Sequence, residues 1–490
     1  MSPASCSWFL RSPVKVGVFA VIMVFSMLVA ADLVVPGVIE NAYGGNGPKK
    51  LNQFFETRRD RHSLGHYLLL WTNFRNACTI ASAAFLAVLI IIDRCIECRR
   101  MRWFLVPFSA AFLGMTVLWG PRQDYVAHLK IWEETNAGRD PWWIQPDSGI
   151  VLNAYGPLFE AFAPLVRINP LVPKILFATA FLIYAVFTSK SAEDHATCDR
   201  RKFWLTGVWL ANPFFWLEIA FYGHFDIIAS LFALGAIVAL NRSGAILAGT
   251  LLGLGFLLKF VPIVLLPFLA FENRGRLRSN GRLIASFIGT MIAGMAFAWG
   301  FWGDSIFRPL SFVSTRGSSL LSVWRYLKGP HSPLVWSGFP ARDFDGFATP
   351  ALILALAAIW LILMRRRTEY AHACLCALLG TVLFYRVGFV QYQMFPFLIM
   401  PYWYSKHRET VDTDRGIRFA LIAYVAWIVG FDLFDNAVGG IVGHGRAWAW
   451  VEDWSGLPNF VMGMTLLTKL LRMSTIVDEP SSSANRSHFG

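Results

Sequence analysis

The sequence predicts an all-α polytopic membrane protein with about 12–14 transmembrane helices and a re-entrant or interfacial segment. Three observations predict it. The 490-residue chain is 56% hydrophobic and only 15% charged, where soluble proteins carry roughly a quarter charged residues. Its apolar residues gather in runs of roughly 17–25, the length at which a helix crosses a hydrocarbon core. Its basic residues cluster at the ends of those runs, where orientation signals lie. Alternating strand patterns are missing, which disfavours a membrane β-barrel.

Hydropathy places the crossings at 16–36, 74–93, 103–119, 171–189, 203–220, 225–241, 244–258, 260–272, 283–302, 349–364, 370–387, 392–404, 418–436 and 456–472. The first run is long enough to stay as an anchor, and Asp32 near its end is no small-residue cleavage site. Residues 156–170 are apolar but interrupted by Pro157, Pro164 and Pro170, and read as the re-entrant or interfacial piece. Residues 244–272 read as a bent hairpin broken at Lys259-Phe-Val-Pro262, since proline ends a helix and lysine resists burial. Four regions follow: 1–102, a two-helix addition with an outer loop; 103–404, the transmembrane core; 405–477, a helix pair; and 478–490, a Ser-rich tail read as disordered.

Charge sets the orientation. Arg94, Arg99, Arg100 and Arg102, then Arg200, Arg201 and Lys202, then Arg274, Arg276, Arg278 and Arg282, then Arg365, Arg366 and Arg367 all fall on one side. The positive-inside rule makes that side cytoplasmic. Loop 37–73 is the exception, with Lys49, Lys50, Arg58, Arg59 and Arg61 outside. The net charge of +13 is accounted for by such clusters, so no nucleic-acid partner is expected. Cys6, Cys78, Cys95, Cys98, Cys198, Cys374 and Cys376 are scattered, which argues against a disulfide framework. Cys95 and Cys98 form a lone CxxC without the second pair of a zinc site.

The outer side collects loops 120–155, 303–348 and 437–455, together with Tyr222-Gly-His-Phe-Asp226 and Gly388-Phe-Val-Gln-Tyr-Gln393. Loops of such length without a structural excuse are usually functional. Within the first, DYVAHLKIWEETN (124–136) sets Tyr125, Leu129 and Trp132 along one side of a helix that would lie in the interface with its aromatics in the headgroup zone until Gly138 stops it. Asp124 then has two readings, a helix N-cap or a catalytic base or metal ligand. Arg139 and Asp140 form an ion-pair candidate; Trp142 and Trp143 suit an aromatic belt or a sugar-stacking surface; Tyr155 suits an anchor or a ligand contact.

Glu218 lies inside a span, and His224 and Asp226 open the next, as caps or as site residues. Lys259 either snorkels or, the favoured reading, reaches a phosphate at the break before Pro262. In loop 303–348, Arg308, Arg316, Arg325 and Lys328 stand beside Trp324, Tyr326 and Trp336. Such arginines suit a phosphate clamp or a solvated loop balanced by Asp304, Asp343 and Asp345. Arg386 sits beside apolar sequence near Gln391, Tyr392 and Gln393.

In this order, the Asp124 loop ending in Gly138-Arg-Asp-Pro-Trp142, Asn153-Ala-Tyr-Gly-Pro157, Asn212-Pro213, Gly223-His-Phe-Asp226, the glycines running to Lys259-x-x-Pro262, and Gln391-Tyr392-x-x-x-Pro396 resemble the C-type superfamily of integral membrane glycosyltransferases. Within it they look most like polyprenol-phosphate-mannose-dependent mannosyltransferases. The likeness covers roughly residues 103–404. It implies transfer of a hexose, mannose first, from a polyprenyl-phosphate donor to a glycolipid, glycan or protein on the extracytoplasmic face of the cell (inner) membrane, by inverting displacement. It implies Asp124 as general base. Lys259, Arg316 and Arg386 would then hold the donor phosphate. Arg139, Asp140, Trp142, Trp143, Tyr155, His224, Asp226, Gln391 and Tyr392 would line the sugar and acceptor. No cofactor is expected. Tyr125 stands where some members carry a second acid, which disfavours a divalent metal without removing it as an alternative, and no metal ligands are assigned.

The lipid bilayer and the lipid-linked donor are the expected partners, and the sequence carries no signal of oligomeric state. A nucleotide-sugar donor is disfavoured, since no G-x-G-x-x-G or P-loop is present. The competing classes are a transporter or flippase of a lipid-linked saccharide and a non-catalytic lipid-binding relative. A transporter should show paired repeats and midplane charges, whereas here the polar groups gather at one face.

Overall fold

The structure, a computed structural model, describes residues 101–143, 153–193, 209–271, 277–338, 344–436 and 446–473, apart from 122, 211, 331 and 367. The expected spans 16–36 and 74–93, the loop between them, the CxxC and the Ser-rich tail lie outside the described residues. Helices dominate, and the protein is an all-α membrane protein. Among the described residues, Leu277–Phe312, Phe344–Arg366 and Arg415–Phe434 are each long and apolar enough to cross a bilayer. The pair Pro213–Phe221 and Asp226–Asn241 would add a fourth crossing if its bent halves are one span. Other expected spans form shorter apolar helices, such as Ala245–Leu258 and Tyr370–Phe384.

Two compact units divide the chain. Of the described residues, the smaller takes 101–112, 185–193, 209–217, 429–436 and 446–452. There Phe108 and Phe112 meet Trp216 edge-on, and Asn212 caps the turn that Pro213 opens by accepting from the Phe214 N–H.

The larger unit carries every residue of interest below. Helix α1 (Met101–Leu118) gives way to a turn with Gly120 at φ +58°, and α2 (Gln123–Asn136) follows at once. As the periodicity predicts, Tyr125 and Trp132 share the buried face of α2, and Gly138 ends it in the left-handed region (φ +73°). The aromatics are buried in protein rather than set among lipid headgroups. Trp132 donates to the Phe159 carbonyl (3.0 Å), and Tyr125 donates to that of Pro170 (2.6 Å). The Pro-interrupted segment therefore forms a floor under α2. It consists of a 3-10 turn, Pro157–Phe162, and a short helix, Ala163–Val166.

Helix α3 (Val172–Glu193) follows, then a π-helical turn, Trp216–Phe221, then α4 (Asp226–Asn241) and α5 (Ala245–Leu258). Helix α5 breaks where the sequence requires: Lys259 is extended (φ −151°), and a 3-10 turn, Val261–Leu265, starts at the proline. Helix α6 (Leu277–Trp302) packs along α5 across Gly249 and Gly253. Beyond α7 (Phe344–Arg366) lies α8 (Tyr370–Phe384), buried from Ala371 to Leu383 and so the core of the unit. Its end is pinned by a two-residue parallel bridge, β1 (Ser319–Leu320) with β2 (Val387–Gly388). Trp324 donates to the Phe384 carbonyl (2.8 Å), and Asn459 donates to that of Leu321 (2.8 Å), fixing the same loop from two sides. Helix α9 (Met394–Thr413) completes the surroundings of the site.

Candidate active site

Asp124 lies in the first turn of α2, one residue inside the helix start rather than at the N-cap. Unpaired backbone N–H groups and the helix dipole favour a carboxylate there. Its side chain remains 56% exposed, whereas its neighbours on the buried face are closed off. Lys174, wholly buried in the first turn of α3, fixes the approach. Its ammonium donates to the carbonyls of Gly120 (2.6 Å) and Phe221 (2.8 Å). One side chain thus ties the entry to α2 to the exit of the π-helical turn.

That turn brings His224 to Asp124. Gly223 reverses the chain at φ +68°, where a side chain would also strike the Tyr125 ring at 2.7 Å. His224 then donates from Nε2 to Asp124 Oδ2 (3.1 Å) and from Nδ1 to Glu218 Oε2 (2.7 Å). Both acceptors are carboxylates, so the ring carries both protons and a positive charge. Partial burial favours the neutral acid of Asp124, but the hydrogen bond and charge of His224 outweigh it and lower the pKa to about 2. His224 lies in the break between helices. Burial opposes its charge, and Glu218 and Asp124 more than offset this, raising it to about 10.

His128, one helical turn beyond Asp124, lies 3.2 Å through Nε2 from the Tyr155 hydroxyl. Burial, followed by the nearby charge of His224, lowers it to about 3, so it stays neutral. Tyr155 is braced by Phe159 and Phe225 and has its phenol raised well above the usual value, first by burial and then by the charges of Asp124 and Asp226.

The cations divide into paired and unpaired. Lys259 forms a buried ion pair with Asp226 and lies 4.2 Å above the Tyr392 ring. Arg316 caps the helix Arg308–Thr315 and lies 4.4 Å above the Phe389 ring. It forms no ion pair among the described residues, and its charge is felt at Asp124, Tyr155 and Lys259. A cation at a helix C-terminus is itself favoured by the dipole. Arg386 precedes β2; its side chain is buried and its carbonyl accepts from the Ser319 N–H (3.3 Å).

The structure thus gathers Asp124, Tyr155, His224, Asp226, Lys259, Arg316 and Tyr392 into one cluster. Gln391 sits half-buried in the turn beside Tyr392. The Arg139–Trp143 stretch is differently disposed. Arg139 pairs with Glu134 rather than with Asp140, and the Asp140 carboxylate accepts from the Trp142 N–H (2.9 Å). Trp142 is buried against Trp302 and donates to the Tyr155 carbonyl (3.2 Å). Trp143 is 60% exposed, with Arg308 4.0 Å above its ring. His128 and Lys174 are additions that the sequence reading does not contain. The i,i+4 spacing from Asp124 would have found His128, but nothing local marks Lys174. Among the described residues no group of three or more His, Cys, Asp or Glu side chains is gathered to hold a metal ion.

A helical membrane protein with an accessible carboxylate in the electrostatic reach of an arginine that forms no ion pair among the described residues has the makings of a membrane-embedded group-transfer enzyme. Residues 155–387 match the model of glycosyltransferase family 87, which supports the C-type likeness and indicates a glycosyltransferase. The matched stretch includes Tyr155, Glu218, His224, Asp226, Lys259, Arg316 and Arg386. It begins after Asp124 and ends before Gln391 and Tyr392. No curated protein matches the chain.

Proposed function

We propose that the protein transfers a hexose, mannose first, from a polyprenyl-phosphate donor to an acceptor hydroxyl on the extracytoplasmic side of the cell membrane. The observation that carries this reading is the pairing of roles around Asp124: an ionised, solvent-reaching carboxylate with an unpaired guanidinium in its electrostatic reach. Asp124 takes the proton of the acceptor hydroxyl. The acceptor oxygen attacks the anomeric carbon from the face opposite the phosphate and inverts it. The bond from that carbon to the phosphate oxygen breaks, and its electron pair leaves with polyprenyl phosphate.

Arg316 meets the charge that develops on the phosphate, and a guanidinium does so through two parallel donors. Lys259 lends positive charge through the pair it shares with Asp226, and Arg386, the third cation the sequence offers, stays buried where it leads into β2. Tyr155, Tyr392 and Gln391 border the sugar. Trp143 and Arg308 form an exposed stacking edge, with Arg139 and Asp140 at the rim. The choice of mannose rests on the likeness to polyprenol-phosphate-mannose-dependent enzymes, and the side of the membrane rests on the distribution of basic clusters.

The test is a panel of polyprenyl-phosphate sugars offered to the purified protein with an acceptor extract. Free polyprenyl phosphate is expected from the mannosyl donor, with inverted anomeric configuration in the product. Retention of configuration would exclude the direct displacement.

A further inference from the structure

His224 and Glu218 are among the ionisable groups at the site that are too deeply buried to meet a substrate. His224 and Glu218 have side chains 4% and 3% exposed, against 56% for Asp124. Burying such charges costs several kcal/mol each unless they are paired in good geometry. The chain nevertheless builds a special turn to present them. Glu218 sits on the π-helical turn Trp216–Phe221, an irregularity frequent at functional sites. The His224 N–H closes the turn on the Glu218 carbonyl (2.9 Å). Tyr222 stacks on the imidazole, with centroids 5.5 Å apart and planes 17° apart, so the ring is held in rotation as well as in place.

We propose that His224 and Glu218 are positioning residues for Asp124: Glu218 grips the imidazole from behind, and the imidazole holds Asp124 Oδ2, leaving Oδ1 to face the acceptor hydroxyl. This rests on Asp124 being the base of the proposed transfer. In the step itself the hydroxyl proton goes to Oδ1, while His224 keeps both of its own protons. Glu218 has a further consequence for the ring. With the glutamate present, both nitrogens donate. Without its charge the ring loses a proton more readily, and a neutral imidazole has one N–H for two partners and no positive charge, so its hold on Asp124 weakens.

Other groups around the pair do not supply this restraint. His128 faces His224 from α2 with centroids 6.5 Å apart and is neutral; Arg316 and Lys259 act on the site by charge, Lys259 with Asp226 already beside it. Tyr155 bonds His128.

The pH dependence of turnover reads this role. In the wild-type protein His224 holds its proton to about pH 10 and Asp124 loses its own near pH 2, so the rate is expected to be flat across the neutral range. Glu218→Gln should bring the alkaline limb down, with kcat falling roughly tenfold between about pH 6 and 9 and the donor KM moving less than about threefold. Glu218→Asp, which restores the charge, should recover most of that loss. His224→Gln should raise the acid limb by about two pH units, toward an ordinary carboxylate.

The full-length protein in nanodiscs, with mannosyl polyprenyl phosphate as donor, is the system to use, and thermal unfolding reports whether each variant is folded. Profiles of folded Glu218→Gln and His224→Gln that superimpose on the wild type would overturn the proposal. So would failure of both to fold, since the pair would then be a structural ion pair. Asp124→Asn separates the two levels. If it still transfers sugar, the base assignment itself fails; if it is inactive while the Glu218→Gln profile is unchanged, only the positioning role falls.

Discussion

Asp226 and Lys259 form a buried ion pair across 33 residues of sequence, joining the first turn of α4 to the break that ends α5. No acid lies within a helical turn of Lys259 along the chain, so its buried charge depends on Asp226. Removing one partner of a buried pair typically costs about 3–5 kcal/mol, whereas replacing both with apolar residues costs much less. Asp226→Asn and Lys259→Met should each lower thermal stability sharply. The double variant Asp226→Leu with Lys259→Met should recover most of it, as measured by unfolding in detergent.

A second contact fixes the outer loop to the same break. The Gly156 N–H donates to the Leu258 carbonyl (3.3 Å), and a Cβ at Gly156 would fall 2.1 Å from the Leu257 carbonyl oxygen. Backbone cannot yield there as a flexible side chain can. Gly156→Ala should therefore displace Tyr155 and destabilise by about 1–3 kcal/mol or more. Gly138→Ala is the control: it meets no atom within 4 Å and carries only the strain of its backbone angle.

Arg316 is expected to bear most on the donor. Losing a charge-assisted hydrogen bond costs roughly 1.5–3 kcal/mol, so Arg316→Met should weaken donor binding about tenfold to a hundredfold. Arg316→Lys should restore only part, because an ammonium lacks the two-pronged geometry. Binding of a non-reactive phosphodiester analogue to each variant checks this.

Glu160 predicts a dependence of stability on pH. Burial pushes its carboxyl up to about 7, against the hydrogen bonds that Thr135 and Asn153 donate to it. An acid whose native pKa is raised contributes stability that is full below the unfolded value, roughly 4.3, and lost as pH rises through the native value. Stability should therefore fall from about pH 5 to pH 8. Glu160→Gln should flatten that slope and raise the melting temperature at pH 8 by roughly a few degrees.

The fold class and the breaks were legible in the sequence because they depend on local chemistry. Pro262 ends a helix wherever it stands, and Gly138 closes α2 as its spacing from Asp124 to Asn136 requires. The face of α2 was legible too, since Tyr125 and Trp132 repeat at helical period, but not what covers it, because Phe159 and Pro170 arrive from a later segment. Partnerships were the hidden layer. Arg139 stands beside Asp140 yet reaches back to Glu134, because the turn at Gly138 faces it that way. Lys259 had no acid within a helical turn of sequence, and Asp226 comes to it only through the packing of α4 on α5. Glu218 was visible as a charge inside a span, but its grip on His224 depends on a π-helical turn that no residue pattern announces.

The central claim is that Asp124 accepts the proton as sugar leaves its lipid phosphate. Its most direct test is a single-turnover assay of polyprenyl phosphate release by the wild-type protein and by Asp124→Asn, with acceptor present and donor binding measured on both. The account predicts release by the wild type and, in the variant, donor binding with release slowed at least about a thousandfold. Equal release by the two proteins, or none by the wild type from any donor, would contradict it.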